Sequence, residues 1–134
     1  MAGCEAMLIV AGIGCRRGAT GDVVVEAIDM ALRTSGLTRT QLALLAVPDE
    51  KMHEAGIHAA ARDVGVAVAP VTQQAMERVS AGALTISARV QDLKGVPSVA
   101  ETAALAAAGN GARLLAPRSA NTMATCAIAT GDGR

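Results

Sequence analysis

Two adjacent arginines, Arg16 and Arg17, interrupt an apolar, glycine-rich stretch near the start of the chain. They lie in the run GIGCRRG at residues 12–18, which follows an apolar stretch and precedes a helical pattern beginning at Thr20. The N-terminus of a helix favours an anion, because its first N–H groups lack intrahelical partners and the macrodipole is positive there. The order of strand, glycine-rich turn and helix therefore predicts an anion site. Its candidate ligand-binding residues are Gly14, Cys15, Arg16, Arg17, Gly18 and Thr20.

A third cation, Lys51, follows the second predicted strand. It falls in the first turn of the second predicted helix, where the macrodipole disfavours a positive charge by roughly 0.3–1 kcal/mol. Open α/β folds bind ligands at the carboxyl ends of their parallel strands, so one anionic ligand that meets both helix ends would remove the conflict. In the alternative interpretation these cations point into solvent, and Glu50 or Glu54 neutralises Lys51.

The loop at residues 12–18 matches neither common phosphate-binding motif. A Walker sequence needs G-x-x-x-x-G-K-[ST], and the loop lacks both the lysine and the spacing. The dinucleotide fingerprint G-x-G-x-x-G is also missed, because Gly18 comes one residue late. The sequence therefore predicts an anion cradle of another kind.

Two histidines and one cysteine give weaker indications of chemistry. His53 and His58 are about 140° apart on one predicted helix, so they cannot share a metal from that helix alone, and no metal site is predicted. Cys15 would have a lowered pKa if exposed, because it lies near a helix N-terminus and two arginines. No histidine lies near Cys15 in the sequence to act as its base, so no catalytic residue is assigned.

Three residues in the second half of the chain are either helix caps or ligand contacts. Ser98 and Glu101 have the S-x-x-E spacing of a capping box, which is the simpler interpretation. Ser87 is a cap or a polar ligand contact, and the sequence does not separate the two. All three stay candidates for the ligand site.

The composition excludes several classes of protein. The 134 residues are 51% hydrophobic but include no Phe, Tyr or Trp, so a single domain with a wholly non-aromatic core is expected. Aromatic platforms for nucleic-acid bases are absent, and twelve basic residues balance twelve acidic ones. Nucleic-acid binding is therefore not expected.

Cysteine spacing and the N-terminal run indicate the compartment. Three separated cysteines without a C-x-x-C pair favour a reducing cytoplasm over a disulfide framework. The first apolar run is too short to span a bilayer and has no basic residue before it, so neither a membrane helix nor a signal peptide is expected. The oligomeric state stays open, with a homo-oligomer among the alternatives.

Apolar runs and helical spacing alternate along the chain. Thr20 is a predicted N-cap, Asp22 lies in the first turn that follows, and Gly36 and Gly65 fall where helices end. The predicted strands are residues 7–13, 42–47, 66–69, 113–116 and 125–129. The predicted helices are residues 20–35, 49–64, 72–79 and 98–108, with a break at 80–82, an ambiguous stretch at 83–94 and a frayed tail at 130–134.

This order predicts one α/β domain over residues 1–134. Alternation of strand and helix implies right-handed crossovers and a three-layer α/β/α architecture, with a mostly parallel sheet of about five strands. The last two strands are too close in sequence for a parallel crossover, so they should form a C-terminal antiparallel hairpin.

Several short motifs, in order along the chain, resemble the CobE/CbiG C-terminal domain family of cobalamin biosynthesis. The similarity covers residues 7–129, and its first block is fairly specific. The blocks are GIGCRRG at residues 12–18, DEK at 49–51 with Glu54 and Gly56, Ser87 with Val90, and PSVAE at 97–101 with Ala104 and Leu105. The resemblance implies a role in building the corrin ring, and it adds Glu54 to the candidate ligand contacts.

The resemblance implies that the ligand is a polycarboxylate precorrin or another corrinoid intermediate, with no cofactor. The longer CbiG members are cobalt-precorrin-5A hydrolases that open a lactone, whereas the length of this chain resembles the free-standing CobE type. A binding or accessory role is the safer inference for that type. The alternatives are a phosphate- or nucleotide-binding regulatory domain, or an adaptor to another cobalamin-pathway enzyme such as a methyltransferase.

Overall fold

A computed structural model describes residues 8–86, 99–109, 111–116 and 118–132 of the chain. The strands are β1 Leu8–Cys15, β2 Leu44–Pro48, β3 Ala67–Val71, β4 Arg113–Leu114, β5 Ser119–Ala120 and β6 Ala124–Gly131. The helices are α1 Gly21–Ser35, α2 Ala55–Val64, α3 Gln73–Ile86 and α4 Val99–Ala108, with short 3₁₀ turns at Arg39–Gln41 and Asp49–Lys51.

The six strands form one mixed sheet in the order β3-β2-β1-β6-β4, with β5 also paired to β6. The three strands β1, β2 and β3 run parallel, whereas β6 is antiparallel to β1, β4 and β5. The predicted α/β class, parallel core and antiparallel C-terminal strands are confirmed. The sheet has six strands rather than the predicted five, because the two-residue strand β5 adds to the predicted hairpin.

Helices α1 and α2 cover one face of the sheet. Their core is made of branched aliphatic side chains from both layers, as the near-continuous apolar strands predict. The largest fully buried members of this core are Ile13, Ile28, Leu45, Ile57 and Ile128. They supply the volume that aromatic rings supply in most proteins of this size.

Helices α3 and α4 cover the other face, where the core consists mainly of alanine. Val10 and Val71 are its largest buried members, and the rest are Ala46, Ala103, Ala104, Ala108 and Ala129. A Cβ at Gly12 would collide with the carbonyl oxygen of Ala100 and would lie 2.7 Å from the backbone nitrogen of Ala104. The glycine therefore lets the α4 backbone lie directly against β1.

Most predicted helix ends are confirmed. Thr20 occupies the N-cap position of α1, and Gly36 ends that helix with a left-handed φ of 74°. Gly65 ends α2 in the same way, at a φ of 88°. Residues Arg39–Gln41 form a 3₁₀ turn with a complete capping box between Thr38 and Gln41.

Several predicted boundaries are wrong. Strand β1 continues to Cys15, two residues beyond its predicted end, and β6 continues to Gly131, into the predicted frayed tail. The second helix begins at Ala55 rather than near Asp49, because residues Asp49–Lys51 form a separate 3₁₀ turn. The third helix does not break at residues 80–82 but continues to Ile86. One interior glycine costs only about 1 kcal/mol of helix propensity, which neighbouring alanine and leucine residues offset. Within the described ranges, no helix combines the length and hydropathy needed to cross a bilayer.

Candidate functional site

The carboxyl ends of β1 and β2 meet at one edge of the sheet, where the chain turns into α1 and α2. We call this edge the carboxyl rim and define it by residues 16–20, 49–54 and 99–101 together with Cys15. The third range is the start of α4, which lies beside Gly14 near the end of β1. Three helix N-termini from both faces of the sheet therefore meet at the rim, each with a positive dipole end.

The two arginines lie in a tight turn that begins immediately after β1. The backbone N–H of Ala19 donates to the carbonyl oxygen of Arg16 at 3.1 Å. Gly18, at the third position of this turn, has a φ of 81°, as a type II turn requires. Arg17 stands at the corner of the turn, and both arginine side chains are exposed.

Three of the four backbone N–H groups of this turn, those of Arg16, Gly18 and Ala19, donate to protein oxygens. The N–H of Arg16 donates to the carbonyl oxygen of Met123 at 2.9 Å, which extends the pairing of β1 with β6. The N–H of Gly18 donates to Oε1 of Glu54 at 3.2 Å. The turn therefore differs from a phosphate cradle built from backbone donors. An anion at this position would be bound by arginine side chains.

Glu54 joins the turn to the second helix. It occupies the N-cap position of α2 but makes no capping hydrogen bond to that helix. Its side chain is 8% exposed, and its other carboxylate oxygen lies 3.6 Å from Nε2 of His53. A Cβ at Gly56 would collide with the carbonyl oxygen of Ala19. The start of α2 is thus fixed against the arginine turn by one hydrogen bond and one close backbone contact.

Lys51 lies in the 3₁₀ turn before α2, so the prediction that it occupies the first turn of that helix is wrong. Asp49 and Glu50 precede it in the same turn. In the described part of the chain, Lys51 makes no ion pair with Glu50 or Glu54. The alternative in which one of these carboxylates neutralises Lys51 therefore finds no support among the described contacts.

Cys15 is half-buried beneath the turn, on the α1 and α2 face of the sheet. Burial raises the pKa of the Cys15 thiol above its ordinary value, the positive charge of Lys51 opposes this, and the negative charge of Glu54 adds to it. The expectation of a lowered pKa was conditional on exposure, and that condition is not met. The protonated thiol is a poor nucleophile at neutral pH.

Thr20 has the N-cap backbone conformation but does not use its hydroxyl to cap α1. Its side chain is exposed beside the arginine turn. The hydroxyl is therefore able to bind a ligand at the rim, in addition to the three cations.

The start of α4 contributes Glu101, whose side chain is 9% exposed and lies 3.6 Å from Nη1 of Arg118. Arg118 was not among the predicted site residues, because its contact with Glu101 is tertiary and no local spacing signals it. Ser87 and Ser98, the other predicted site residues of this region, lie outside the described residues, as does the Ser98 half of the proposed capping box.

The two histidines of this region lie in different surroundings. His58 donates from Nε2 to the carbonyl oxygen of Met52 at 2.6 Å and so attaches the 3₁₀ turn to α2, and His53 is exposed. Among the described residues, no three His, Cys, Asp or Glu side chains come together at metal-binding distances.

Comparison with known proteins identifies the family of this chain. A family model described as Cobalamin synthesis G C-terminus matches residues 9–129. The chain belongs to this family. The membership predicted from the motifs is thereby confirmed, and with it a role as a cobalamin biosynthesis protein.

Individual members of the cobalamin synthesis G C-terminal family are similar over most of their length. The chain is 31% identical over 121 residues to Protein CobE of a Sinorhizobium species, covering 90% of this chain and 79% of that protein. Cobalamin biosynthesis protein ChiG of Agrobacterium tumefaciens is 44% identical, with a TM-score of 0.79 and coverage of 92% of this chain and 98% of that structure.

Two further structures show the same fold. The crystal structure of CobE, a protein from the cobalamin biosynthetic pathway, gives a TM-score of 0.76 at 31% identity, with 92% of this chain and 90% of that one covered. A cobalamin biosynthesis protein G homologue from Sulfolobus solfataricus is 23% identical, with a TM-score of 0.69. Its match covers 97% of this chain but only 38% of that structure, and at this identity it supports the fold alone.

Proposed function

We propose that this cobalamin biosynthesis protein binds a polycarboxylate precorrin or a related corrinoid intermediate at the carboxyl rim. One observation carries the proposal. Arg16, Arg17 and Lys51 follow two neighbouring parallel strands at the rim, and in the described part of the chain none of them forms an ion pair. Corrin precursors carry several acetate and propionate groups, and guanidinium groups bind carboxylates in a planar, bidentate geometry.

The surroundings of the cations suit carboxylates better than phosphates. A phosphate cradle relies on several convergent backbone N–H groups, whereas the N–H groups of Arg16 and Gly18 already donate to protein oxygens. Side-chain cations spread over two junctions match separate acid groups better than one compact phosphate. This observation favours the corrinoid ligand over the phosphate- or nucleotide-binding alternative.

Binding or transfer of an intermediate is preferred to catalysis of lactone opening. Burial keeps the pKa of the Cys15 thiol above its ordinary value, which disfavours a thiolate nucleophile. The Glu54 carboxylate is buried and accepts a hydrogen bond from Gly18, so it is poorly placed to activate water as a general base. Lactone opening stays a second candidate by analogy with the longer family members.

The test is a binding titration with three ligands, in which the absorption spectrum of the corrin ring reports binding. The ligands are a corrin polycarboxylate, the same ring with its acid groups amidated, and ATP. We expect the polycarboxylate to bind and stabilise the protein in a thermal-shift assay, with the amidated ring much weaker and ATP inactive. The chain has no tryptophan or tyrosine, so the ring supplies nearly all absorbance above 260 nm in the corrin titrations.

Variants locate the binding to the rim. The double variant R16A/R17A should weaken binding about 100-fold, because each charge-assisted contact contributes roughly 1.4 kcal/mol, or tenfold. Arg62→Ala is the matched control, because Arg62 is an exposed arginine in the last turn of α2, at the opposite edge of the sheet. A response to ATP alone, or equal effects of the two changes, would contradict the proposal.

The adaptor alternative gives a different result in the same experiment. If the arginine turn contacts a pathway methyltransferase, the charge reversal R16E/R17E should abolish co-purification with that enzyme and leave small-molecule affinity unchanged. If the turn binds the corrinoid, the charge reversal should abolish the change in corrin-ring absorption that accompanies binding.

A further inference from the structure

The N-terminus of α4 reaches the carboxyl rim on the face of the sheet opposite α1 and α2. Ala100, in the first turn of α4, is the nearest described neighbour of Gly14. Ala108, at the other end of the helix, contacts Gly131, which pairs with Leu8 at the start of β1. Helix α4 therefore runs antiparallel to β1 and begins where β1 ends. The side chains of its first turn belong to the same edge of the sheet as the arginine turn.

Glu101 and Arg118 form an ion pair at this end of α4. The side chain of Glu101 is 9% exposed, whereas that of Arg118 is 40% exposed, and the closest approach between Oε1 and Nη1 is 3.6 Å. A guanidinium presents five N–H donors in a fixed plane, and a contact of this length engages few of them. Neutralising the buried carboxylate accounts for a positive charge at this position, but it leaves accessible donors facing solvent.

The first turn of α4 also presents an apolar side chain to solvent. Val99, the first residue of α4, is 51% exposed, whereas the large apolar side chains of the two core clusters are buried. A Cβ added at Gly14 would meet Ala100 at 3.8 Å and Thr125 at 4.0 Å, which are ordinary contacts. Among the described residues, packing thus requires a glycine at position 12 but not at position 14.

We propose that Arg118 binds one further carboxylate of the polycarboxylate ligand, on the α4 side of the carboxyl rim, and that buried Glu101 positions its guanidinium. This inference rests on the proposed function. Lys51 follows β2, the two arginines of the turn follow β1, and Arg118 precedes β5, which pairs with β6 on the far side of β1. Across three strand spacings the cations span roughly 14 Å, a width that suits a macrocycle with acid groups around its periphery.

The experiment measures the affinity of a corrin polycarboxylate for matched arginine variants. Arg118→Ala should weaken binding about tenfold, the value of one charge-assisted contact. Arg118→Lys should fall between Arg118→Ala and the unchanged protein, because lysine keeps the charge but loses the planar fork. The control is Arg113→Ala, which should stay within twofold, because Arg113 is an exposed arginine on the same side of β1 but pairs opposite Thr130, near the other edge of the sheet.

A second pair of variants separates binding from folding, because Arg118→Ala leaves Glu101 without this counter-ion. The double variant E101Q/R118A removes both charges, and its affinity is compared with that of Glu101→Gln alone. A loss of about tenfold between the two supports the inference, and so does loss of the salt dependence that Arg118 contributes. The amidated ring should show no difference between them.

The outcomes distinguish the inference from the proposal on which it rests. If the unchanged protein binds the polycarboxylate but Arg118→Ala and E101Q/R118A lose no more affinity than their controls, the inference is overturned and the proposed function stands. If the unchanged protein binds no corrin polycarboxylate, both are overturned.

Discussion

The two faces of the sheet are stabilised by different kinds of contact. On the α1 and α2 face, branched side chains fill the space between the layers, and Ile13, Ile28 and Ile57 are fully buried. On the α4 face, alanines of the helix lie against a glycine of β1, so that backbone atoms come almost into contact. This chain, which has no aromatic residues, therefore fills one half of its core with branched side chains. In the other half it brings the backbone of a helix close to the sheet.

This difference predicts how each face responds to a change in volume. A layer packed through long side chains can adjust a rotamer when a methyl group is added or lost, at a cost set by the remaining cavity. A layer packed through backbone contact cannot adjust without moving a whole helix. The α4 face should therefore be the less tolerant of the two, although its side chains are smaller.

Gly12→Ala should have the largest effect on stability of the changes considered. The new methyl group would collide with the carbonyl oxygen of Ala100 and would lie 2.8 Å from Cβ of Ala104, so α4 would have to move away from β1. We expect a loss of more than about 4 kcal/mol, which is exceptional for one substitution and a large part of the stability of a domain. Urea denaturation followed by circular dichroism measures the loss.

Gly14→Ala is the matched control, because it adds the same methyl group to the same strand and the same face two residues away. Its Cβ would meet only ordinary contacts among the described residues, the nearest at 3.8 Å. We expect a change within about 1 kcal/mol. Equal losses for the two variants would show that α4 is not held in backbone contact with β1, and the comparison of the faces would fail.

Ile57→Ala tests the α1 and α2 face and should have a smaller effect. Ile57 is 1% exposed, so removal of its outer carbons should cost about 2–5 kcal/mol from lost burial and the cavity left behind. Ile57→Val should cost only about 0.5–1.5 kcal/mol. A graded series of losses in urea denaturation would confirm packing by volume, whereas an all-or-none response would indicate the tight packing of the other face.

The fold was largely predictable because its signals are local. The buried strands are continuous apolar runs, and the glycines at the ends of α1 and α2 follow directly from helix geometry. The start of α2 was not predictable, because Asp49 suits the first residue of a 3₁₀ turn as well as the N-cap of an α-helix. The alanine-rich sequence of α4 predicted the helix, but only its tertiary partner explains why alanine is needed.

The candidate site was predictable only in part, for a similar reason. Glycine and arginine spacing predicted a turn within residues 12–18, of which residues 12–15 belong to β1. The partner of the Gly18 N–H lies 36 residues away at Glu54. The family resemblance added Glu54 to the candidate ligand contacts, and the structure gives its carboxylate a protein donor. Arg118 meets Glu101 across the fold, and no sequence spacing predicts such a contact.

At the carboxyl rim the two faces of β1 also differ in their titratable side chains. Changing the charges around these groups should have the smallest effect of the predicted changes. On the α1 and α2 face β1 ends in Cys15, whereas on the α4 face Gly14 has no side chain. Burial raises the pKa of the Cys15 thiol, Lys51 lowers it and Glu54 raises it. Because the folded-state pKa is raised, the stability that the protonated thiol contributes is complete below the ordinary pKa and is lost as pH rises through the raised value.

Alkylation of Cys15 by iodoacetamide, followed by mass spectrometry in a Cys4→Ser background, measures this balance. Cys126 should not interfere, because burial raises the pKa of its thiol strongly. At pH 8, Lys51→Ala should slow the reaction and Glu54→Gln should speed it, each about two- to fivefold, since partly solvated unit charges interact by about 1 kcal/mol or less. Glu50→Gln, an exposed change in the same 3₁₀ turn, should leave the rate unchanged. Shifts in the same direction for Lys51→Ala and Glu54→Gln would mean that the two charges do not flank the thiol, and the placement of Lys51 beside the end of β1 would be wrong.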